Sequence, residues 1–255
     1  MRKLTIIPCV IAAFVAGACG DKHSQSSDAN AAEVTTVSPE TPNASTPTSG
    51  VTTGTASFDG AQTAYTEKRY DEALRLFTSY TSEHPNNVWG FYMLGLSAWK
   101  TGDRDGAVRA FTQALEKDST HVKSRLNLSR VLLEQGKAQE ALPYIEGVVT
   151  VDSTSNEGYR LLGRVKAELG DSSGAIEALK RAIVLDGRDA RSMNNLARVY
   201  IGQGRFEDAL GPLARAIEID STVAAFHTNL GRALEHTADR SRLAEAFVEQ
   251  VKTWR

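Results

Sequence analysis

The sequence predicts an all-α fold, a solenoid of about six helix-turn-helix repeats behind a disordered linker. Three observations predict it. Alanines in helical contexts recur every 34 residues, at Ala73, Ala107, Ala141, Ala175 and Ala209. The same interval links Gly102, Gly136, Gly170 and Gly204, and again Leu94, Leu128, Leu162, Leu196 and Leu230. A small residue follows each of those leucines: Gly95, Ser129, Gly163, Ala197 and Gly231. Self-similarity at this period is the mark of a supersecondary unit that hides its apolar face only by stacking on its neighbours.

Composition narrows the function classes. The chain has 255 residues, 41% hydrophobic and 24% charged, with a formal net charge of −2. These are globular values, and the balanced charge argues against a nucleic-acid partner, which would demand a basic excess. The two cysteines are Cys9 and Cys19. Beyond Cys19 there is no thiol, so disulfides, cysteine nucleophiles and cysteine-held metals are excluded there.

The chain starts with an address. Met1-Arg2-Lys3 is basic, Leu4 to Val15 is nearly all apolar, and Ala16-Gly17-Ala18 leads into Cys19. Such a layout is a secretory signal over residues 1–18, too short to span a bilayer of roughly 30 Å. Ala16-Gly17-Ala18-Cys19 also resembles a bacterial lipobox, with Ala16 where leucine is usual; ordinary cleavage after a small-residue triplet is the other reading. The resemblance implies lipidation at Cys19, and a membrane partner held through the lipid. Gly20, in place of an aspartate, leans towards the outer membrane.

Residues 19–56 follow as a tether. Between Asp21 and Ser57, 15 of 37 residues are Ser or Thr and none is aromatic. A segment of this kind buries too little apolar surface to offset its ordering entropy. The repeat domain is expected over residues 57–255.

Phe91, Leu94, Gly95, Ala98, Gly102, Ala107, Phe111 and Ala114 resemble the tetratricopeptide repeat, whose period is 34 residues. Repeats start at Gly54, Val88, Val122, Asn156, Ala190 and Ala224 on this register. Repeat one is weak at its first turn, with Ser57 at the bulky position, and repeat six is degenerate, with Leu243 where the small alanine belongs. The resemblance implies a right-handed superhelical solenoid with a concave wall lined by the first helix of each repeat.

Physical reasoning supports the pattern. Two antiparallel helices about 8–10 Å apart need small side chains where they cross. Gly or Ala in the first helix is expected to face Ala107, Ala141, Ala175 and Ala209 in the second. Phe111, Ile145, Leu179, Leu213 and Phe247 are expected to fill the space between successive repeats. The glycines before each second helix suit a left-handed turn. Pro143 and Pro212 are expected in the early turns of second helices, where a missing N–H is tolerated. After repeat six the chain stops at Trp254-Arg255, and Leu243, Phe247, Val251 and Trp254 form either a self-capping last helix or an edge through which a homo-oligomer could assemble.

By the same resemblance, function is read on the concave wall. Position nine is Arg130, Arg164, Arg198 and Arg232 in repeats three to six. Position six is Asn127, Asn195 and Asn229, with Arg160, Arg191, Asn194 and Lys123 nearby. Guanidinium forks suit carboxylates, and asparagine can pair with an extended peptide backbone. The ladder is similar to a carboxylate clamp but carries arginine throughout position nine, so an acidic segment is the expected ligand. Internal pairing of Arg130 with Glu134 and of Arg164 with Glu168 is the alternative, leaving Arg198 and Arg232 as the stronger candidates. Repeat two adds Trp89, Tyr92 and Trp99 at positions two, five and twelve, either as a partner-anchoring cluster or as packing against repeat one or the tether.

The five histidines show no metal-ligand spacing, and no nucleotide-binding or nucleophile-elbow sequence is present. No cofactor, metal site or catalytic residue is expected, and the chain is read as a non-enzyme. Taken together, these features predict a lipid-anchored adaptor or assembly factor of the bacterial cell envelope on the periplasmic face of the outer membrane, or a soluble secreted or periplasmic form. A type IV pilus-assembly lipoprotein and a self-associating scaffold are the alternatives.

Overall fold

Short polar residues write six of the eleven described helix starts. Ser57, Asn87, Ser155 and Asp189 each accept the backbone N–H three residues on, at 2.8–3.1 Å, and open a first helix of a hairpin. Asp103 and Asp171 do the same for two of the second helices, at 2.8 and 2.9 Å. Such caps satisfy one of the donors a helix leaves unpaired. The computed structural model describes residues 57–237. The expected signal, Cys19, the tether over 19–56, and repeat six's second helix with its C-terminal edge lie outside the described residues.

Eleven helices, and no strand, occur among the described residues. They are α1 (Phe58–Thr66), α2 (Tyr70–Glu83), α3 (Val88–Lys100), α4 (Arg104–Lys117), α5 (Val122–Glu134) and α6 (Ala138–Val151). Then come α7 (Asn156–Glu168), α8 (Ser172–Leu185), α9 (Ala190–Gly202), α10 (Phe206–Ile219) and α11 (Ala224–Glu235). The first helices of repeats two to six begin at Val88, Val122, Asn156, Ala190 and Ala224, the residues the 34-residue register marks. The architecture is an all-α repeat solenoid.

Repeat one departs from its expected start at Gly54. Its first helix opens at Phe58, because Ser57 serves as the cap rather than as the bulky packing residue. Phe58 supplies the bulk one place later, its ring edge-on to Phe77 at 5.6 Å and to Tyr80 at 5.5 Å.

Each of the first five hairpins turns on a left-handed residue. Gly102, Gly136, Gly170 and Gly204 have φ between 72° and 88°, and Lys68 takes the equivalent place at 62°. The N–H groups of Arg69, Lys137, Asp171 and Arg205 reach back to the carbonyls of Ala64, Leu132, Lys166 and Tyr200, closing the helix ends. Lys68 bears the steric cost that glycine avoids, about 1–2 kcal/mol.

The hairpins close over the small residues. Ala73, Ala107, Ala141, Ala175 and Ala209 are fully buried, as are Phe77, Phe111, Ile145, Leu179 and Leu213. The closest neighbour of the crossing glycine is not the alanine the sequence led us to expect but the bulky residue one turn later. A Cβ on Gly95 would stand 2.6 Å from the Phe111 ring, and one on Gly163 would stand 2.5 Å from Leu179 Cγ. The large side chain therefore seats in a notch of its own repeat.

Pro143 and Pro212 also differ from expectation. Each lies in the second turn of its helix, beyond the N–H groups that need no partner, so the carbonyls of Gln139 and Asp208 lose their helical donors. Gln139 and Asp208 both stand at exposed positions of their helices. The helices continue.

Glycine's two roles predict opposite responses. In Gly163→Ala, an added methyl gains about 1 kcal/mol of helix propensity but drives into buried Leu179, an overpacking cost of about 1–3 kcal/mol. Gly211, inside α10, has nothing within 4 Å of an added Cβ. Thermal unfolding should therefore show Gly163→Ala lowered and Gly211→Ala raised in Tm; a rise in both would remove the notch as the constraint on the hairpin.

Candidate functional site

The first helices α3, α5, α7, α9 and α11 stand side by side, and their polar residues meet across repeats. Asn127 Nδ2 donates to the Tyr92 hydroxyl at 3.2 Å, and Arg130 Nη1 donates to Asn127 Oδ1 at 2.8 Å. Arg130 also pairs with Glu157 on α7. Arg160 lies 3.6 Å from Glu157 and 3.0 Å from Asp189, the cap of α9. Asn156 Nδ2 donates to the same Asp189 oxygen at 3.0 Å. A continuous polar strap thus crosses repeats two to five.

Its electrostatics follow from burial. Burial pushes the Arg130 guanidinium down to about 10, and Arg160, Arg164 and Arg191 add repulsion. Arg130 stays protonated at neutral pH. Burial raises the Asp189 carboxyl, but Arg160 and hydrogen bonds from Ser192 and Asn156 outweigh it, holding it below the usual carboxylate range. Asp189 is only 6% exposed, so its charge depends on those partners.

Expected internal pairing took another form. Arg130 turns to Glu157 on the next repeat rather than to Glu134, because Glu134 accepts from Trp99 Nε1 at 3.0 Å and from Arg104 Nε at 3.1 Å. Trp99 is accordingly held at the edge between repeats two and three, away from the other aromatics; seven residues of helix separate it from Tyr92, a rise of about 10 Å. The cluster that forms is Trp89, Tyr92 and His121. Trp89 meets His121 at 4.9 Å and Tyr92 at 5.6 Å, with Lys123 Nζ 5.2 Å above its ring. Tyr92 packs on both the core of repeat one and that of repeats two to four, and burial raises its pKa. Trp89 is the member left for contact, 47% exposed.

Further along the wall the polar groups are open. Arg164, Asn195, Arg198, Asn229 and Arg232 line one cavity of about 390 Å³, together with Glu168. Arg164 is itself partnered. Asn229 Nδ2 donates to Asn194 Oδ1 at 2.8 Å, so both amides are partly spent. Asn195, Arg198 and Arg232 make no hydrogen bond or ion pair among the described residues. Arg191 is exposed and adds to the Thr222 hydrogen bonds that keep Asp220 below the usual carboxylate range.

Structure therefore divides the thirteen wall residues read from sequence. Asn127, Arg130 and Arg160 hold the strap, Asn194 and Asn229 pair with each other, and Trp99 belongs to an edge. Asn195, Arg198 and Arg232 face a shared cavity. Glu157 and Asp189, which neutralise the strap, were missed. Asp189 had a signal, a carboxylate immediately before a helix start, and Glu157 had one in standing three residues before Arg160.

The sequence pattern of the tetratricopeptide repeat family matches residues 92–156 and 160–224, just over half of the chain. Among solved structures, MamA from Desulfovibrio magneticus RS-1 is similar at 22% identity and TM-score 0.61, over 65% of this chain and 94% of that one. TTC0263, a thermophilic protein of the same repeat type in Thermus thermophilus, is similar at 23% identity and TM-score 0.55, over 68% and 95% of the two chains. YrrB, described as a protein of this type with an unusual peptide-binding site, is similar at 19% and TM-score 0.58, over 67% and 88%. These likenesses establish the fold. No curated protein sequence matches the chain.

The strap yields a pH prediction. A carboxyl held below its ordinary value contributes stability that is complete above the unfolded value, about 3.9, and is lost as pH falls through the folded one. Asp189→Asn keeps the cap but removes the charge, and should cost about 1.5–3 kcal/mol at pH 7. The difference from the parent should shrink below pH 4 in denaturant titrations. A difference independent of pH would show that the charge contributes nothing.

Proposed function

The chain belongs to the tetratricopeptide repeat family, whose members bind protein or peptide partners, and from that premise we propose a protein-interaction adaptor or assembly factor of the bacterial cell envelope. Its ligand is an acidic peptide segment held on the concave wall of repeats four to six. One observation carries the reading: Asn195, Arg198 and Arg232 border one cavity with no partner among the described residues, while the guanidiniums of repeats three and four are engaged. Unspent arginines beside a free amide match carboxylates and a peptide backbone.

The envelope assignment rests on sequence. A basic start, a short apolar run and Ala16-Gly17-Ala18-Cys19 fit export and lipidation at Cys19, with residues 19–56 acting as a tether to the outer membrane's periplasmic face. Among the described residues, no helix is long and apolar enough to cross a membrane.

Two measurements test these readings. A labelled Glu-rich peptide should bind the full chain with an affinity that falls as salt rises, and Arg198→Glu with Arg232→Glu should weaken it by about a hundredfold while circular dichroism stays helical. Unchanged binding would remove the basic ladder as the docking surface. Cys19→Ser should shift the protein from the membrane to the soluble fraction of the cell; persistence in the membrane would overturn the lipid anchor.

A further inference from the structure

Deepening the acidic-peptide reading, on which it rests, we propose a second carboxylate site on the wall of repeats three and four, formed by Arg130 and Arg160 and filled in this structure by the chain's own Glu157. Arg130 and Arg160 come from different repeats, on α5 and α7, yet each brings its Nη2 to the same oxygen, Glu157 Oε1, at 3.6 Å for Arg160. Their other arms are fixed elsewhere. Arg130 Nη1 donates to Asn127, which is itself tied to the Tyr92 hydroxyl, and Arg160 Nη1 donates to Asp189 at 3.0 Å. Two guanidiniums are thus directed to one point by partners other than Glu157, and such preorganisation spares a ligand the cost of ordering them.

The two carboxylates of the strap differ in kind. Asp189 is buried, caps α9 through the Ser192 N–H, and accepts from the Ser192 hydroxyl, Asn156 and Arg160, so it belongs to the frame. Glu157 keeps 41% of its side chain exposed and is held by the two arginines, so a carboxylate presented from solvent can contest its place. An anion is needed at that point. Burial lowers the Arg130 guanidinium, and Arg160, Arg164 and Arg191 repel it. A negative charge between them relieves the repulsion whether it belongs to Glu157 or to a ligand.

Position links this site to the open cavity. Arg164, on the cavity's border, stands one helical turn beyond Arg160 on α7, so a peptide seated against Asn195, Arg198 and Arg232 lies beside the helix face that carries Arg160. Glu157 then acts as a tethered competitor. It keeps repeats three and four closed to a ligand with a single carboxylate, and it yields to a segment whose other carboxylates are already held at the cavity, because that attachment raises the local concentration of the next one.

The test separates a vacated site from a simple loss of negative charge. Glu157→Gln and Glu157→Ala remove the same charge from the first turn of α7, but the glutamine amide oxygen still fills the point between the guanidiniums and alanine leaves it empty. Labelled hexaglutamate, titrated against the full chain by fluorescence anisotropy, should bind Glu157→Ala about tenfold tighter than the parent, the gain of one charge-assisted contact, and Glu157→Gln no more than about twofold tighter. Arg130→Gln added to Glu157→Ala should erase the gain. In thermal unfolding followed by circular dichroism, sodium propionate should raise the Tm of Glu157→Ala above its value in sodium chloride of equal ionic strength, while the parent and Glu157→Gln respond alike to the two salts. Equal tightening by the alanine and glutamine variants, or no selective effect of propionate on Glu157→Ala, overturns the second site and leaves the open cavity standing. If hexaglutamate binds neither the parent nor Glu157→Ala, the acidic groove falls and this site with it.

Discussion

The close approach of two helices over a small residue is the constraint on which the molecule depends. Gly95 and Gly163 leave a notch, and Phe111 and Leu179 fill it so closely that one added carbon would overlap them. Burying a Phe or Leu contributes about 1.5–3 kcal/mol each, and the notch fixes where that gain is available. The hairpin has one crossing geometry as a result. Once each hairpin is fixed, its apolar remainder is hidden only by the next, and first helices align along a common wall. Contacts on that wall then join residues 27 to 35 apart, as Arg130 joins Glu157 and Asn127 joins Tyr92.

This explains what could be read in advance. Packing repeats leave a periodic imprint because a small residue must stand at each crossing, so the starts of α3, α5, α7, α9 and α11 were legible to the residue. Repeat one was not, since its helix opens four places late, at Phe58, with Ser57 as the cap and the bulky residue moved one place on. On the wall, residue type was legible and availability was not. Three position-six asparagines look alike in sequence, yet a donor from that position reaches the position-five residue of the preceding repeat. Asn127 finds Tyr92 there and Asn229 finds Asn194, whereas the residue behind Asn195 is Arg160, which is drawn to Asp189. Whether an amide is spent depends on a residue a whole repeat away.

Arginines obey the same logic. Arg130 has Glu134 one helical turn on, and isolated helices favour such pairs by only about 0.2–0.5 kcal/mol. The Trp99 indole and Arg104 claim Glu134, and Arg130 gains more from Glu157 in a half-buried setting where charges are less screened. Glu157 and Asp189 thereby split the wall into a neutralised stretch and an open cationic one. A ladder uniform in sequence has become two surfaces.

The lacing along the wall is uneven. From Tyr92 to Asp189 the wall is laced by a chain of hydrogen bonds and ion pairs, whereas between α9 and α11 the described lacing is a single amide pair, Asn194 with Asn229. Polar lacing is thus thinnest where the guest is proposed to sit, and a guest bridging Arg198 and Arg232 would add there the charged contacts between repeats that the strap supplies elsewhere along the wall.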